Sequence, residues 1–128
     1  MRYLALDVGD RTIGLAVGEE TFGLARPLKT IRRRGVAADL ASLREIVSKE
    51  DIGSLVIGLP LTLHGEVGHQ AERVRSFAES ARSLALPIDL VDERFTTAEA
   101  IGRGADDLDA GAAVVLLEDY FRGRRRAK

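Results

Sequence analysis

The chain has 128 residues, of which 45% are hydrophobic and 30% charged, a balance typical of one compact domain with its own core. It contains no cysteine, which excludes disulfides, thiolate zinc sites and cysteine nucleophiles. No apolar run approaches about 18 residues and no signal-peptide pattern is present, so we expect a soluble cytoplasmic protein without membrane contact.

Charge is unevenly distributed along the chain, although the formal net charge is only −1. Arg32, Arg33 and Arg34 form one basic block, and residues 122–128 form a basic C-terminal tail after a single domain predicted at 1–121. Binding of a polyanion depends more on local clusters of charged residues than on the net charge. They predict contacts with a nucleic-acid backbone, although a solubilising face and a frayed terminus would give the same composition.

The N-terminal third of the chain has the pattern of three strands. Apolar, β-rich runs at 2–8 and 12–18 are separated by a Gly-Asp-Arg turn, which predicts a hairpin. A third strand is expected over 22–31, and Pro27 favours an edge position because proline cannot donate to a ladder.

The rest of the chain alternates between helical and strand patterns. In chain order the predicted elements are a helix over 36–47, a buried parallel strand at 54–60, a helix over 67–84, a strand at 87–93, a short helix over 96–102 and a final helix after Asp109. The order β-β-β-α-β-α-β-α-α predicts an α/β fold. We expect a mixed five-stranded sheet, three antiparallel strands followed by parallel βαβ units, with helices on both faces. That topology is similar to that of ribonuclease H-like nucleases.

Three acids stand at element ends: Asp7 in the first strand, Glu93 after the fifth with Asp92 beside it, and Asp109 at the start of the last helix. Ligands of open α/β sheets gather beyond the carboxyl ends of strands, so Asp7 and Glu93 are expected to converge there. The last helix would bring Asp109 to the same place by packing on the sheet.

A cluster of carboxylates suits Mg²⁺ or Mn²⁺, which prefer oxygen ligands and can stabilise both oxygens of an in-line phosphodiester displacement. The alternative is structural: Asp109 would be a helix cap, and Glu93 a partner of Arg94. Asp7 favours the metal, because a charge inside an apolar run is costly unless a cation compensates it. Arg11 is the other candidate for that compensation.

Arginines are the predicted contacts for substrate. Arg94 directly follows Glu93 and is placed to contact a scissile phosphate, and the backbone contacts are expected from Arg11, Arg32, Arg33, Arg34, Arg124 and Arg125. Aromatic residues make up only 5% of the chain, so recognition should follow the shape and backbone of the nucleic acid.

Several ordered motifs resemble the YqgF family, also called RuvX, of the ribonuclease H-like superfamily. They are LALDVGDRTIGLAVG, RPL, IGLPLTLHGE, VRSFA, LVDERFTTAEA and LDAGAAVVLLEDYF. The resemblance implies a bacterial cytoplasmic nuclease associated with maturation of the 5′ end of 16S rRNA and, by an older assignment, with four-way DNA junctions. Asp7, Glu93 and Asp109 match the family's acidic positions. Residues 101–108 form a shorter segment than relatives carry, and because the longer loop of relatives is expected to touch substrate, we expect substrate preference to depend on this difference.

We therefore expect a divalent-metal-dependent endonuclease with Asp7, Glu93 and Asp109 as catalytic metal ligands. One alternative is a non-catalytic module that binds ribosomal RNA or branched DNA. A second follows from DVGDRTIG, which looks like the phosphate loop of actin-like ATPases, although that fold needs two domains. A homodimer would suit symmetric cleavage of a junction.

Overall fold

The computed structural model describes residues 1–59, 68–92 and 108–127, with the backbone alone at 69, 108, 109 and 125–127. In these ranges the elements are β1 (Arg2–Val8), β2 (Thr12–Glu19), β3 (Leu24–Arg32), α1 (Val36–Lys49), β4 (Ser54–Leu59), α2 (His69–Ala81), a 3₁₀ turn (Arg82–Leu84), β5 (Ile88–Asp92) and α3 (Leu108–Ala127). The predicted α/β class is confirmed. The short helix predicted over 96–102 lies outside the described residues.

The sheet is mixed, as predicted, with the strand order β3-β2-β1-β4-β5. β1 and β3 each pair antiparallel with β2, whereas β4 pairs parallel with both β1 and β5. The hairpin keeps β1 and β2 adjacent, and the long crossovers through α1 and α2 make the later pairs parallel. The carboxyl ends of β1, β4 and β5 therefore lie at the same edge of the sheet.

Pro27 lies on the edge strand β3 at an irregularity in the ladder. Leu15 is opposite Lys29 whereas Ala16 is opposite Pro27, so Leu28 is an extra residue between the two pairs. A bulge tolerates proline because the ladder is already interrupted there. The predicted edge position of this strand is confirmed.

Alternation along the strands produces two apolar layers, one on each face of the sheet. One layer joins the sheet to α1 and α2 and includes Leu4, Leu6, Leu43, Val74 and Phe77. The other joins it to α3 and includes Tyr3, Ala5, Val56, Leu117 and Phe121. The prediction of helices on both faces is therefore confirmed.

The second half of α3 packs closely over the start of β1 and the end of β2. The rings of Tyr3 and Phe121 meet edge to face with centroids 5.3 Å apart. A Cβ atom on Gly18 would lie 3.1 Å from Cδ2 of Leu117 and 2.6 Å from the carbonyl oxygen of Leu24, so only glycine allows this approach. The helix continues through residue 121, the predicted end of the domain, and residues 122–127 are part of α3.

A polar network fastens the end of α3 to the sheet. The Tyr120 hydroxyl donates a hydrogen bond to Oδ2 of Asp89, and Arg124 donates to Tyr120 Oη over 2.8 Å and pairs with Glu20. Burial, together with the bond to Asp89, raises the pKa of Tyr120 to about 12, and burial raises the pKa of Tyr3. Both tyrosine hydroxyls therefore stay protonated to a higher pH than that of an ordinary tyrosine.

These two residues are the only tyrosines of the chain, which makes their titration directly observable. Because their pKa values are raised in the fold, their contribution to stability is present below the usual value near 10 and declines as the pH rises toward about 12. We expect tyrosinate absorbance to appear well above pH 10 in the native protein. Protein denatured in urea should titrate normally, and a native titration matching it would contradict the network.

None of the helices in the described ranges is long and apolar enough to cross a membrane.

Candidate metal and nucleic-acid site

Asp7 lies near the carboxyl end of β1, opposite Gly14 of β2. Its side chain is partly buried between two buried neighbours, Leu6 and Val8. Tyr3 and Ala5 point to the face covered by α3. Because successive side chains of a strand point to opposite faces, Asp7 lies on the same face as these two residues. The carboxylate therefore lies on the α3 side of the edge where the parallel strands end.

The turn that follows Asp7 is compact. The Gly9 N–H donates to the carbonyl oxygen of Thr12 over 2.8 Å, and a Cβ atom on Gly9 would lie 3.2 Å from that oxygen. Asp10 pairs with Arg73 of α2 over 2.9 Å, and both side chains are more than half exposed. Arg11 is exposed at the tip of the turn.

Arg33 is held in a buried cluster behind this turn. Its Nε donates to Oδ2 of Asp39 over 3.0 Å, and its Nη1 donates to the carbonyl oxygen of Gly9 over 3.0 Å. Its guanidinium also lies 5.1 Å from the ring centroid of Phe77 on α2. Asp39 is only 2% exposed, and it also accepts the Arg34 N–H over 3.0 Å. Phosphate contact by Arg33 would have to compete with all of these partners.

Sequence reasoning missed Asp39, although a signal was present. Asp39 precedes Leu43 by one helical turn and lies on the same stripe of α1 as Leu43 and Ile46, both of which are buried. An acid on the apolar face of a helix, just after a basic block, indicates an internal ion pair. The pattern could therefore have predicted a partner among the three arginines.

The other predicted substrate contacts differ in exposure. Arg32 is exposed, and its position opposite Thr12 places it on the α3 face of the sheet. Arg34 is also exposed. Arg124 is engaged by Glu20 and Tyr120 beyond the start of β1, away from Asp7, and the side chain of Arg125 is not described. Of the predicted substrate contacts whose side chains the structure describes, the exposed ones are thus Arg11, Arg32 and Arg34.

The remaining predicted acids are only partly described. Asp92, the last residue of β5, is opposite Leu59, and this register assigns it to the face covered by α1 and α2. Asp109 has its backbone in the first turn of α3, whereas Glu93 and Arg94 lie outside the described residues. The described side chains contain no cluster of three or more metal-ligating groups. The three-carboxylate metal site stays a prediction.

Comparison with known proteins gives concordant matches across most of the chain. A family described as "RuvX: Holliday junction resolvase" matches residues 1–123. A protein of Moorella thermoacetica is 44% identical over 127 residues, covering 98% of this chain and 83% of the relative. One of Anaeromyxobacter sp. is 40% identical, covering 97% and 98%. Both relatives carry the name "Putative pre-16S rRNA nuclease".

Among solved structures, the chain is similar to Thermus thermophilus RuvC in complex with a Holliday junction substrate. The TM-score is 0.66 over 98% of this chain and 96% of RuvC, with 14% sequence identity. At that identity the likeness shows the fold, and the architecture agrees with the mixed sheet described above.

Proposed function

Because this chain belongs to the RuvX family and is therefore a nuclease, we propose that it is a divalent-metal-dependent endonuclease acting on structured nucleic acid. The names of its relatives favour the precursor of 16S rRNA as substrate, and the family description adds the four-way DNA junction. Action on a ribosomal precursor would place the protein in the cytoplasm.

The observation that carries this proposal is the position of Asp7 on the face covered by α3. Phe121, in the second half of that helix, packs on Tyr3 at the start of β1. From Tyr3 to Asp7 the strand covers about 13 Å. From Phe121 back to Asp109 the helix covers about 18 Å. The helix is thus long enough for its first turn to reach Asp7, and we propose that Asp109 is the neighbour of Asp7 there.

The proposed ligands fit the metal by their chemistry. Carboxylate oxygens are the donors preferred by Mg²⁺ and Mn²⁺, and the partly buried position of Asp7 limits competition from water. Asp92 belongs to the opposite face of the sheet, so we assign the third position to Glu93, its neighbour in the sequence. The proposed set is therefore Asp7, Glu93 and Asp109.

Each group has a separate role in hydrolysis. Mg²⁺ or Mn²⁺, when bound, would lower the pKa of water and neutralise charge that develops on the phosphate. The three carboxylates would hold that ion. Arg94 is proposed to contact the scissile phosphate, and the exposed Arg11, Arg32 and Arg34 to contact the neighbouring backbone.

Cleavage assays with controlled metal content test the proposal. A precursor RNA carrying the 5′ leader of 16S rRNA and a four-way DNA junction are incubated with the protein in EDTA, Mg²⁺ or Mn²⁺. We expect cleavage of at least one substrate with metal and none in EDTA. Tight binding without cleavage in any metal would instead support the non-catalytic module. Symmetric cleavage of the junction would require two copies, which sedimentation of the complex detects.

A further inference from the structure

The contacts of Arg33 connect three separate elements at the base of the β1–β2 turn. Arg33 is the residue that follows β3. Its side chain bonds to Asp39 on α1, packs over the ring of Phe77 on α2 and donates to the carbonyl oxygen of Gly9. Its own N–H donates to the carbonyl oxygen of Arg11 over 2.8 Å. One residue therefore holds the turn by its backbone and by its side chain.

Burial makes this arrangement costly to break. The side chain of Arg33 is 19% exposed and that of Asp39 only 2% exposed. Withdrawing the guanidinium toward a phosphate would leave the Asp39 carboxylate buried and without its cation, which is strongly unfavourable. The planar guanidinium suits this site because it serves the carboxylate and the carbonyl oxygen at once.

We propose that Arg33 is a positioning residue for the metal site and does not contact the substrate. By fixing the carbonyl of Gly9 it fixes the backbone that leaves Asp7, and by its own N–H it fixes Arg11. This inference rests on the proposed function, because it assigns the position of Asp7 a catalytic purpose. It also gives Arg33 a role different from that of its two exposed neighbours in the basic block, which are proposed to contact the nucleic-acid backbone.

The chain offers two informative comparison variants. Arg73 pairs with Asp10 on the same turn, but the two side chains are 64% and 59% exposed, so their pair adds little. Arg73→Met therefore controls for loss of a cation near the turn. Arg32→Met removes a cation proposed to contact phosphate.

The test compares Arg33→Met and Arg33→Lys with these variants in the full-length protein. Amide hydrogen exchange is measured at Gly9 and Arg33, whose N–H groups bond within the turn, and at Val56 in β4. For Arg33→Lys, which keeps a cation beside Asp39 but loses the planar guanidinium, we expect exchange about tenfold faster at Gly9 and Arg33, with Val56 changed less than about twofold. Arg33→Met also leaves the buried Asp39 carboxylate without its cation, so exchange should become faster at Val56 as well. Arg73→Met should leave exchange unchanged.

Kinetics give an independent readout. For both Arg33 variants we expect a lower kcat and a higher Mn²⁺ concentration for half-maximal cleavage, with KM for nucleic acid unchanged. Arg32→Met should instead raise KM and reduce the salt slope of duplex binding by about 0.9.

Two results would overturn the inference. One is unchanged exchange at Gly9 together with a reduced salt slope for Arg33→Met, which would make Arg33 a phosphate contact. The other is equally faster exchange at Gly9 and Val56 in both Arg33 variants, which would make its role global stability. Absence of cleavage by the wild-type protein in every metal overturns the proposed function separately, because exchange does not depend on activity.

Discussion

Asp7→Asn is expected to lower the rate of metal-dependent cleavage at least about 100-fold. Asparagine keeps the size of the side chain and one oxygen donor but removes the negative charge that holds a divalent cation. The rate is measured on precursor RNA and on a four-way junction over a range of Mn²⁺ concentrations. The melting temperature of the variant is recorded with it, so that loss of the fold is distinguished from loss of the site.

Asp10→Asn is the matched control for this experiment. Asp10 belongs to the same turn, and its carboxylate is 59% exposed and paired with Arg73 on the surface. Its substitution removes the same charge close to Asp7 but is expected to leave cleavage within about twofold of wild type. Full activity of Asp7→Asn would exclude Asp7 as a metal ligand. An equal loss in both variants would attribute the effect to general electrostatics.

Phe121→Ala is expected to destabilise the protein by about 3–5 kcal/mol. The ring is 1% exposed and packs edge to face against Tyr3, so truncation leaves a cavity between α3 and the sheet. The free energy of unfolding is measured by urea titration. Cleavage should fall with stability, since the same helix carries Asp109.

Phe22 provides the comparison for this substitution. Its ring is 71% exposed just before β3, so Phe22→Ala removes the same atoms from the surface and should change stability by less than about 0.5 kcal/mol. A loss below about 1 kcal/mol for Phe121→Ala would mean that the end of α3 does not hold the helix on the sheet.

Local periodicity explains why most of the fold could be predicted from the sequence. The two runs around the Gly-Asp-Arg turn alternate or are continuously apolar, and they form β1 and β2. Pro27 identified the edge strand because its missing N–H excludes a central position. These signals depend on neighbours in the chain, which a single sequence displays directly.

Long-range pairings could not be predicted in the same way. Glu20 and Arg124 are 104 residues apart in the chain, and a run of arginines after Phe121 has the composition of a solvated tail. Arginine is also a good helix former, so α3 continues through that run to Ala127. Arg33 was grouped with its neighbours by charge, whereas burial beside Asp39 gives it a different environment.

In the candidate site, too, local sequence predicts one part and long-range packing determines the other. The position of Asp7 at a strand end followed from the hairpin pattern, and the structure adds the face on which it lies. Convergence of Asp7 with Glu93 and Asp109 depends on packing between distant elements, and it remains the central proposal.

Diffraction from crystals soaked in Mn²⁺ tests that proposal most directly. We predict an anomalous peak roughly 2.0–2.6 Å from a carboxylate oxygen of Asp7, with Glu93 and Asp109 completing the protein ligands. Glu93 and Asp109 lying too far from Asp7 to share an ion would contradict it.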